Sequence, residues 1–329
     1  MLHEGFSEAK MIITLILCTH NRYADLRKAL ESIAVMDLPE FIDWEVLVVD
    51  NNSSDRTPSL VEDFCRRYPT RFRYLFEPTA GKSHALNTGI REARGDILAF
   101  TDDDVTVDPT WLRNLTMPLH DARWAGTSGR TLPEGDFSPP PWLSLGDRYA
   151  LAPLGIFDRG SEAHEITESP FGNNMAYRKA IFEKHGTFRN DLGPCVGSKD
   201  PHKSEDSEFG VRVLARGERL FYQPSAVLYH SIPEKRLQKK YFQSWWFDKA
   251  RADIRAFGIP VESKFCFVGI PFHLFRRFAV WGLRWLFAIE PKQRFSAKTK
   301  VWALCGSIKE CYRIPHDRKG QESAGHANS

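Results

Sequence analysis

No apolar run in this 329-residue chain comes near the roughly 18 uncharged residues that a membrane-spanning helix needs. The most apolar stretch, Phe265 to Ile289, is interrupted by Arg276, Arg277 and Arg284. The six cysteines (Cys18, Cys65, Cys195, Cys266, Cys305 and Cys311) show no CxxC pair and no regular spacing. They read as buried or free thiols of a reducing compartment. No signal peptide is visible: Met1 to Lys10 is polar, and Met11 to Cys18 is too short and wrongly flanked. The expected location is therefore the cytoplasm. The glycine-rich dinucleotide fingerprint is missing, which sets hydride chemistry aside. There is no internal repeat and no low-complexity segment.

What is present is an ordinary hydrophobic content and a length that permits one large domain or two. The formal net charge of +3 conceals a split. From Ser231 onward there are 19 lysines and arginines against 8 acidic residues, a net of +11, which leaves the first 230 positions at −8. Such an asymmetry points to an anionic surface as partner of the C-terminal third, with a merely solvated basic face as the plainer alternative. No nucleic-acid partner is expected.

The first 110 residues alternate buried strands with amphipathic helices. Ile12 to Cys18, Glu45 to Val49, Phe72 to Phe76 and Ile97 to Phe100 read as strands; Tyr23 to Val35 and Gly81 to Ala93 read as helices. That order predicts a parallel sheet with right-handed crossovers, and hence one rim shared by the loops after strands one, two and four. Three carboxylates in succession, Asp102-Asp103-Asp104, close the fourth strand. Adjacent anions repel, and Mg2+ or Mn2+ with hard oxygen ligands would neutralise them; a solvated acidic turn is the other reading. Pro133 to Pro170 predicts a long loop. Helical text resumes at Lys179 and at Glu205 to Ala215, strand text at Arg219 to Tyr229, and Lys235 to Phe257 is long, basic and aromatic.

The separated motifs together resemble family 2 glycosyltransferases, inverting enzymes of the GT-A fold. They are Cys18-Thr19-His20-Asn21-Arg22, Val48-Val49-Asp50-Asn51-Asn52-Ser53-Ser54-Asp55, Gly81-Lys82-Ser83-His84-Ala85-Leu86-Asn87, Asp102-Asp103-Asp104 and Ser204-Glu205-Asp206. The resemblance implies an α/β, Rossmann-like GT-A fold: a mixed, mostly parallel sheet flanked by helices. It covers residues 1–230, with a polar tail at 1–10, followed by a helical C-terminal region at 231–329. It further implies a nucleoside diphosphate sugar donor met by Thr19, Asn21, Arg22, Asp50, Asn52, Lys82, Asn87, Asp102 and Asp103, and a metal held by Asp104 and His230. Asp206 is the implied base, Glu205 contacts donor or acceptor, and Asn173 and Asn174 lie on the acceptor side. Each has a plainer alternative: N-capping for Asp50 and Asp55, an acidic first helical turn for Asp206, a structural imidazole for His230, a turn for the asparagines.

Processive members carry Gln-x-x-Arg-Trp and several membrane spans, whereas this chain has Gln243-Ser244-Trp245-Trp246 and no span. One sugar per encounter is expected, onto a saccharide or lipid-linked hydroxyl. His273, Arg277 and Arg284 fall on one helical stripe beside Phe278, Trp281, Trp285 and Phe287. Residues 264–313 are thus expected at the cytoplasmic face of an anionic membrane, or else packed on the catalytic domain. Two rivals stay open. Asp102-x-Asp104-x-Thr106 also spells the nucleophile motif of haloacid-dehalogenase-like phosphohydrolases, and a sugar-nucleotide-binding protein without turnover would keep the same donor residues. Nucleotidyltransferases of similar fold want glycines that His20-Asn21-Arg22 lacks.

Overall fold

Apolar side chains at every second position of neighbouring strands fill both faces of a central sheet. Strand β1 (Ile12–Thr19) sends Ile13, Leu15 and Leu17 to one side and Ile16 and Cys18 to the other; β2 (Asp43–Asp50) divides Val46 and Val48 from Leu47 and Val49 in the same way. Because the side-chain period of a strand is two, a strand buried on both faces must be apolar almost throughout. Helices α1 (Tyr23–Ala34) and α2 (Thr57–Arg67) cover the first face with Leu26, Leu30, Leu60 and Phe64. Helix α3 (Lys82–Glu92) covers the second with Ala85, Leu86 and Ile90. The computed structural model describes residues 12–146, 151–195, 197, 203–259 and 265–326, with side chains as far as Ile314. The tail expected over 1–10 lies outside the described residues.

With β3 (Phe72–Phe76) and β4 (Ile97–Thr101), these strands run parallel in the order β3-β2-β1-β4. Beyond β4 the sheet becomes mixed. β8 (Met175–Arg178) pairs antiparallel to β4 and to β6 (Gly126–Pro133), and β6 pairs parallel to β9 (Leu220–His230). The short strands β5 (Val105–Val107) and β7 (His164–Ile166) both run antiparallel to β9. The nine strands form one mixed sheet flanked by helices, as expected. The register places Thr19 beside Asp50 and Leu17 beside Thr101, so β1 and β2 end level and β4 ends two residues short of them, just before Asp102 and Asp103.

The stretch 133–170 is more ordered than a plain loop. It contains β7, a 3-10 turn at Ala152–Leu154 and a bridge between Thr131 and Phe157; residues 147–150 lie outside the described residues. The chain divides into two compact units, Met1–Glu134 with Phe157–Asn190 and Phe209–Ser231, and Gly135–Ile156 with Asp191–Glu208 and Ile232–Ser329. Aromatic packing explains why 135–156 belongs to the second. Trp142 meets Phe242 and Phe295 edge-on, with ring centroids 5.4 and 4.3 Å apart, and Leu143, Leu154 and Ile156 complete that core. The second unit also holds α7 (Lys239–Phe257), a hairpin of β10 (Cys266–Phe267) and β11 (Ile270–Pro271), α8 (Phe272–Phe287) and α9 (Pro291–His326). Arg251 and Arg255 of α7 bond the buried Glu310 of α9 at 2.9 and 2.6 Å. All six cysteines are free thiols.

Gly95 is where the α3–β4 connection passes closest to β1. A Cβ there would lie 2.5 Å from the Thr14 nitrogen and 2.8 Å from the Ile12 oxygen, both backbone atoms that cannot swing aside. Gly95→Ala is expected to destabilise the chain by about 2 kcal/mol through overpacking, seen as a melting temperature several degrees lower with unchanged far-UV circular dichroism.

Candidate active site

The turns after β1 and β2 are built as a matched pair. Asn21 and Asn52 both adopt left-handed backbone, φ 51° and 62°, a conformation that asparagine tolerates better than most residues. The two turns are laced together: the Asn21 amide N–H donates to Ser53 Oγ at 2.9 Å, and Asn21 Oδ1 accepts from the Ser54 and Asp55 nitrogens at 2.7 and 3.2 Å. Asp55 accepts from the Tyr23 and Thr57 nitrogens at 3.1 and 2.9 Å. Burial works the other way, but these bonds hold its carboxyl below the ordinary value. Asp55 thus ties α1 to α2, close to the capping role that its sequence position allowed. Asp50, with no exposure, accepts from the Ser53 nitrogen and from the Tyr74 hydroxyl, each at 2.9 Å. It supports the turn from within, and contact with a ligand requires neighbouring side chains to yield.

The carboxylates after β4 meet this edge. Thr19 Oγ1 donates to Asp103 Oδ2 at 2.8 Å, and Arg22 Nη1 donates to Asp103 Oδ1 at 3.0 Å and to Asp104 Oδ2 at 2.8 Å. Lys82, the first residue of α3, bonds Asp102 through its ammonium. Each of the three anions therefore has a cationic partner from the protein itself. Beside the metal that the sequence argument expects for this repulsion, Arg22 and Lys82 supply positive charge at the same place. Burial, set against Arg22 and reinforced by Asp104, leaves the Asp103 carboxyl raised to about 6. Burial pulls the other way on Arg22, yet Asp103 and Asp104 hold its guanidinium above the ordinary value. Asp103 is almost fully buried and fastens loops; Asp102 and Asp104 are the partly open members.

His230 reaches the same cluster through strand pairing, since β5 sets Val105 opposite His230. Its Nε2 lies 3.5 Å from Asp104 Oδ1, while Asp104 Oδ2 takes the guanidinium. That spacing is long for a hydrogen bond and near the roughly 3 Å between adjacent ligands of one octahedral cation. Among the described residues no group of three His, Cys, Asp or Glu side chains is arranged to hold a metal ion. Asp104 and His230 are the pair that could supply two protein ligands to such an ion.

Residues 14–186 match the family model described as glycosyl transferase family 2. The chain belongs to that family. A curated relative, the succinoglycan biosynthesis protein ExoM of Rhizobium meliloti, is 30% identical over 240 residues, 70% of this chain and 72% of its own. The glucosyl-dolichyl phosphate glucuronosyltransferase of Haloferax volcanii is 24% identical, covering 72% and 75%. The fold is shared with the mannosyltransferase PcManGT of Pyrobaculum calidifontis, crystallised with GDP-Man and Mn2+: TM-score 0.56, 21% identity, 96% of this chain and 79% of that one. A family 2 glycosyltransferase has no need of Asp102 as a phosphohydrolase nucleophile, and that rival is set aside.

Three residues expected to face ligands in this glycosyltransferase are held inside its frame. The Asn87 side chain donates to the Phe188 oxygen and to Asn190 Oδ1, both at 2.8 Å, and accepts from the Phe188 nitrogen at 3.0 Å. Asn173 is buried, its backbone oxygen accepting from Thr101 Oγ1 at 2.9 Å. Asn174 is buried too; it accepts from Trp111 Nε1 at 2.9 Å and donates to the Arg130 and Ala226 oxygens at 3.1 and 3.2 Å. Glu205 and Asp206 open α6 (Glu205–Ala215) within the second unit, preceded by Ser204 at φ 74°. Ser204 Oγ donates to Asp253 Oδ1 of α7 at 3.0 Å, which anchors this turn on the C-terminal helix. Beside it, burial lowers the Lys203 ammonium to about 8, with its nitrogen 5.0 Å from the Trp245 ring centroid.

Two supports went unassigned in the sequence. Asn51 donates to the Glu77 and Thr79 oxygens at 3.1 and 2.7 Å and accepts from the Gly81 nitrogen at 2.8 Å, so it fixes the entry to α3. Its neighbours in the second motif were the available signal. Tyr74 is recognisable only once β3 is known to lie against β2. The Asn174 bridge makes a separate expectation. Asn174→Ala leaves a buried indole N–H and two carbonyls without their partner, at a cost of about 2–3 kcal/mol. The melting temperature should fall by several degrees while the donor KM stays within about twofold; a large KM change with unchanged stability would instead give Asn174 a ligand-facing role.

Proposed function

We propose that this glycosyltransferase moves one sugar from a nucleoside diphosphate sugar to a hydroxyl of a saccharide or lipid-linked acceptor, with inversion, as a peripheral protein at the cytoplasmic face of a membrane. The observation that carries the donor half is the convergence of Thr19, Arg22, Lys82, Asp102, Asp104 and His230 at the neighbouring ends of β1, β2 and β4. Arg22 and Lys82 bring positive charge to where a diphosphate would lie, and cations that are already oriented stabilise negative charge growing on a leaving group. Asp104 and His230 would hold Mg2+ or Mn2+, which when bound shares in neutralising the diphosphate. PcManGT, of the same fold, was crystallised with GDP-Man and Mn2+, and this reading extends that pairing to the present chain.

On the acceptor side, Asp206 takes the proton of the attacking hydroxyl as its oxygen bonds to the anomeric carbon. The bond from that carbon to the diphosphate oxygen breaks, and the electron pair leaves with the diphosphate. Glu205 contacts donor or acceptor. The Ser204–Asp253 tie supports the assignment by fixing the turn that presents both carboxylates. The lipid-linked acceptor draws on the name of the Haloferax relative and on the net +11 of residues 231–329. A single transfer per encounter follows from the missing Gln-x-x-Arg-Trp motif.

A panel of UDP-, GDP- and dTDP-sugars read by thermal shift, with and without Mn2+, tests the donor half. One nucleotide should stabilise the protein only with the metal, and Asp104→Asn should abolish that dependence. Asp206→Asn should keep the shift and lose about 10²- to 10⁴-fold in turnover. Donor binding with no turnover by the wild type on any acceptor would leave a binding protein instead.

A further inference from the structure

Helix α8 is apolar on two sides. Its inner side is Leu274 and Trp281, packed with Ile254, Ile270 and Leu304. At about 100° per residue, Phe272, Val280, Leu283, Leu286 and Phe287 fall in a different sector, and these are 58%, 44%, 55%, 66% and 78% exposed. The preceding hairpin adds Phe265, Phe267 and Val268, all exposed, and Ile289 follows the helix almost fully exposed. An apolar face of this extent marks an interaction surface. Arg277 and Arg284 share a stripe along its shoulder. Between Phe265 and Lys300 there are seven basic residues and one acid, Glu290. Where α8 turns into α9, a recess of about 710 Å³ is lined by Trp281, Arg284, Phe287, Lys292, Gln293 and one acid, Glu290. Arg284 stands over the Trp281 ring, 4.6 Å from its centroid.

We propose that the hairpin and α8 lie in the interfacial layer of an anionic bilayer, and that this recess takes the headgroup phosphate of a phospholipid. The inference rests on the reading that the chain works at a membrane, and adds to it which residues enter the bilayer and which bind the lipid. Arg284 and Lys292 supply the charge for the phosphate, and Gln293 a hydrogen-bond donor. Phe287 and Trp281 offer the acyl chains an apolar wall, with indole at the level where it is enriched in interfaces. Arg276 sits within the apolar sector, and its long stem lets the guanidinium reach the headgroups from there. Charge complementarity selects the occupant: a second copy of this chain would set one basic rim against another. No described helix is long and apolar enough to cross a membrane, so the contact is with one leaflet.

Sedimentation of the full-length protein with vesicles tests this. Vesicles of phosphatidylcholine with 30% phosphatidylglycerol (about one lipid in three) should carry the wild type down, and pure phosphatidylcholine should do so far less. Arg284→Ala with Lys292→Ala should weaken binding to the anionic vesicles about thirtyfold, from roughly tenfold or less per basic residue. Leu283→Glu with Phe287→Glu should abolish it. Both pairs should keep the wild-type melting temperature and the donor thermal shift, which shows that the fold and the donor site are intact. Equal binding by the Arg284/Lys292 pair and the wild type overturns the headgroup site. Equal binding to neutral and anionic vesicles does the same, and so does a dimer that Leu283→Glu disperses in place of vesicle binding. A protein that turns over donor with a soluble saccharide acceptor yet ignores vesicles refutes this surface and leaves the transferase reading standing. Vesicle binding without any donor turnover does the reverse.

Discussion

Three carboxylates in a row at a strand end repel one another unless positive charge is close, and within a protein that repulsion is stronger than in water. Here the charge comes from Arg22, 80 residues upstream of Asp102, and from Lys82, 20 residues upstream. Neither cation can reach the cluster unless the turn after β4 runs beside the end of β1 with α3 starting next to them. The parallel register that sets Thr19 beside Asp50 and Leu17 beside Thr101 meets that condition. The charged cluster and the apolar sheet are therefore one arrangement: the core positions the ion pairs, and the ion pairs make the acidic turn tolerable. Breaking a buried pair by removing one partner leaves an uncompensated charge, which is far more damaging than never having built the pair. Asp103, almost fully buried against Arg22 and Thr19, is the member on which this bears most.

Around the cluster, polar groups are buried in a way that leaves few loose ends. Asn51 and Asp50 bond backbone groups of loops, and Asn174 bonds carbonyls of β6 and β9 beside the irregularity where their register shifts. A buried amide N–H or carbonyl without a partner is costly, so such side chains act as substitutes for missing secondary structure. They hold the rim still while Asp102, Asp104, Lys82 and Arg22 remain partly open to solvent. Rigid support beneath an accessible charged edge lets a charged ligand be met without reorganisation, which is what the proposed donor role would use.

The fold was largely legible because its signals are local. Runs such as Ile13 to Cys18 and Ile97 to Phe100 announce buried strands by composition, and the helices between them by spacing. The polar cluster after each strand then follows from the geometry of parallel sheets. The partners of those clusters were not legible. Whether Asn87 faces a ligand or the Phe188 backbone depends on where a segment 100 residues away returns, and nothing near Asn87 encodes that. The same holds for Asn174, whose contacts come from α4 (Trp111–Thr116), β6 and β9. Charge balance misled in a different way: electrostatics requires a cation near Asp102, Asp103 and Asp104, but a sequence does not say whether arginine, lysine or a metal provides it. Membership of 135–156 in the second unit was hidden because its aromatics, spaced irregularly, pair with residues about 100 to 150 positions later.

Helix α8 shows most clearly what periodicity does not resolve. An apolar helix with three arginines is compatible with a core position or a membrane surface, and a hydrophobic count weighs every apolar residue alike. Only packing separates them, because Leu274 and Trp281 pack on the inner side while Leu283, Leu286 and Phe287 stay more than half exposed among the described residues. One side of the helix packs within the second unit, and the other is the exposed sector on which the membrane proposal rests. Leaving several large side chains in water forfeits about 1.5–3 kcal/mol for each that a partner would otherwise bury. Conformational stability does not favour such a sector, so its presence argues for a surface that is covered when the protein works. The arginine stripe between the two sides then has a physical reason. On the membrane proposal it would mark the level at which protein interior gives way to headgroups, the place on such a helix where a charge is well solvated while both neighbours are apolar.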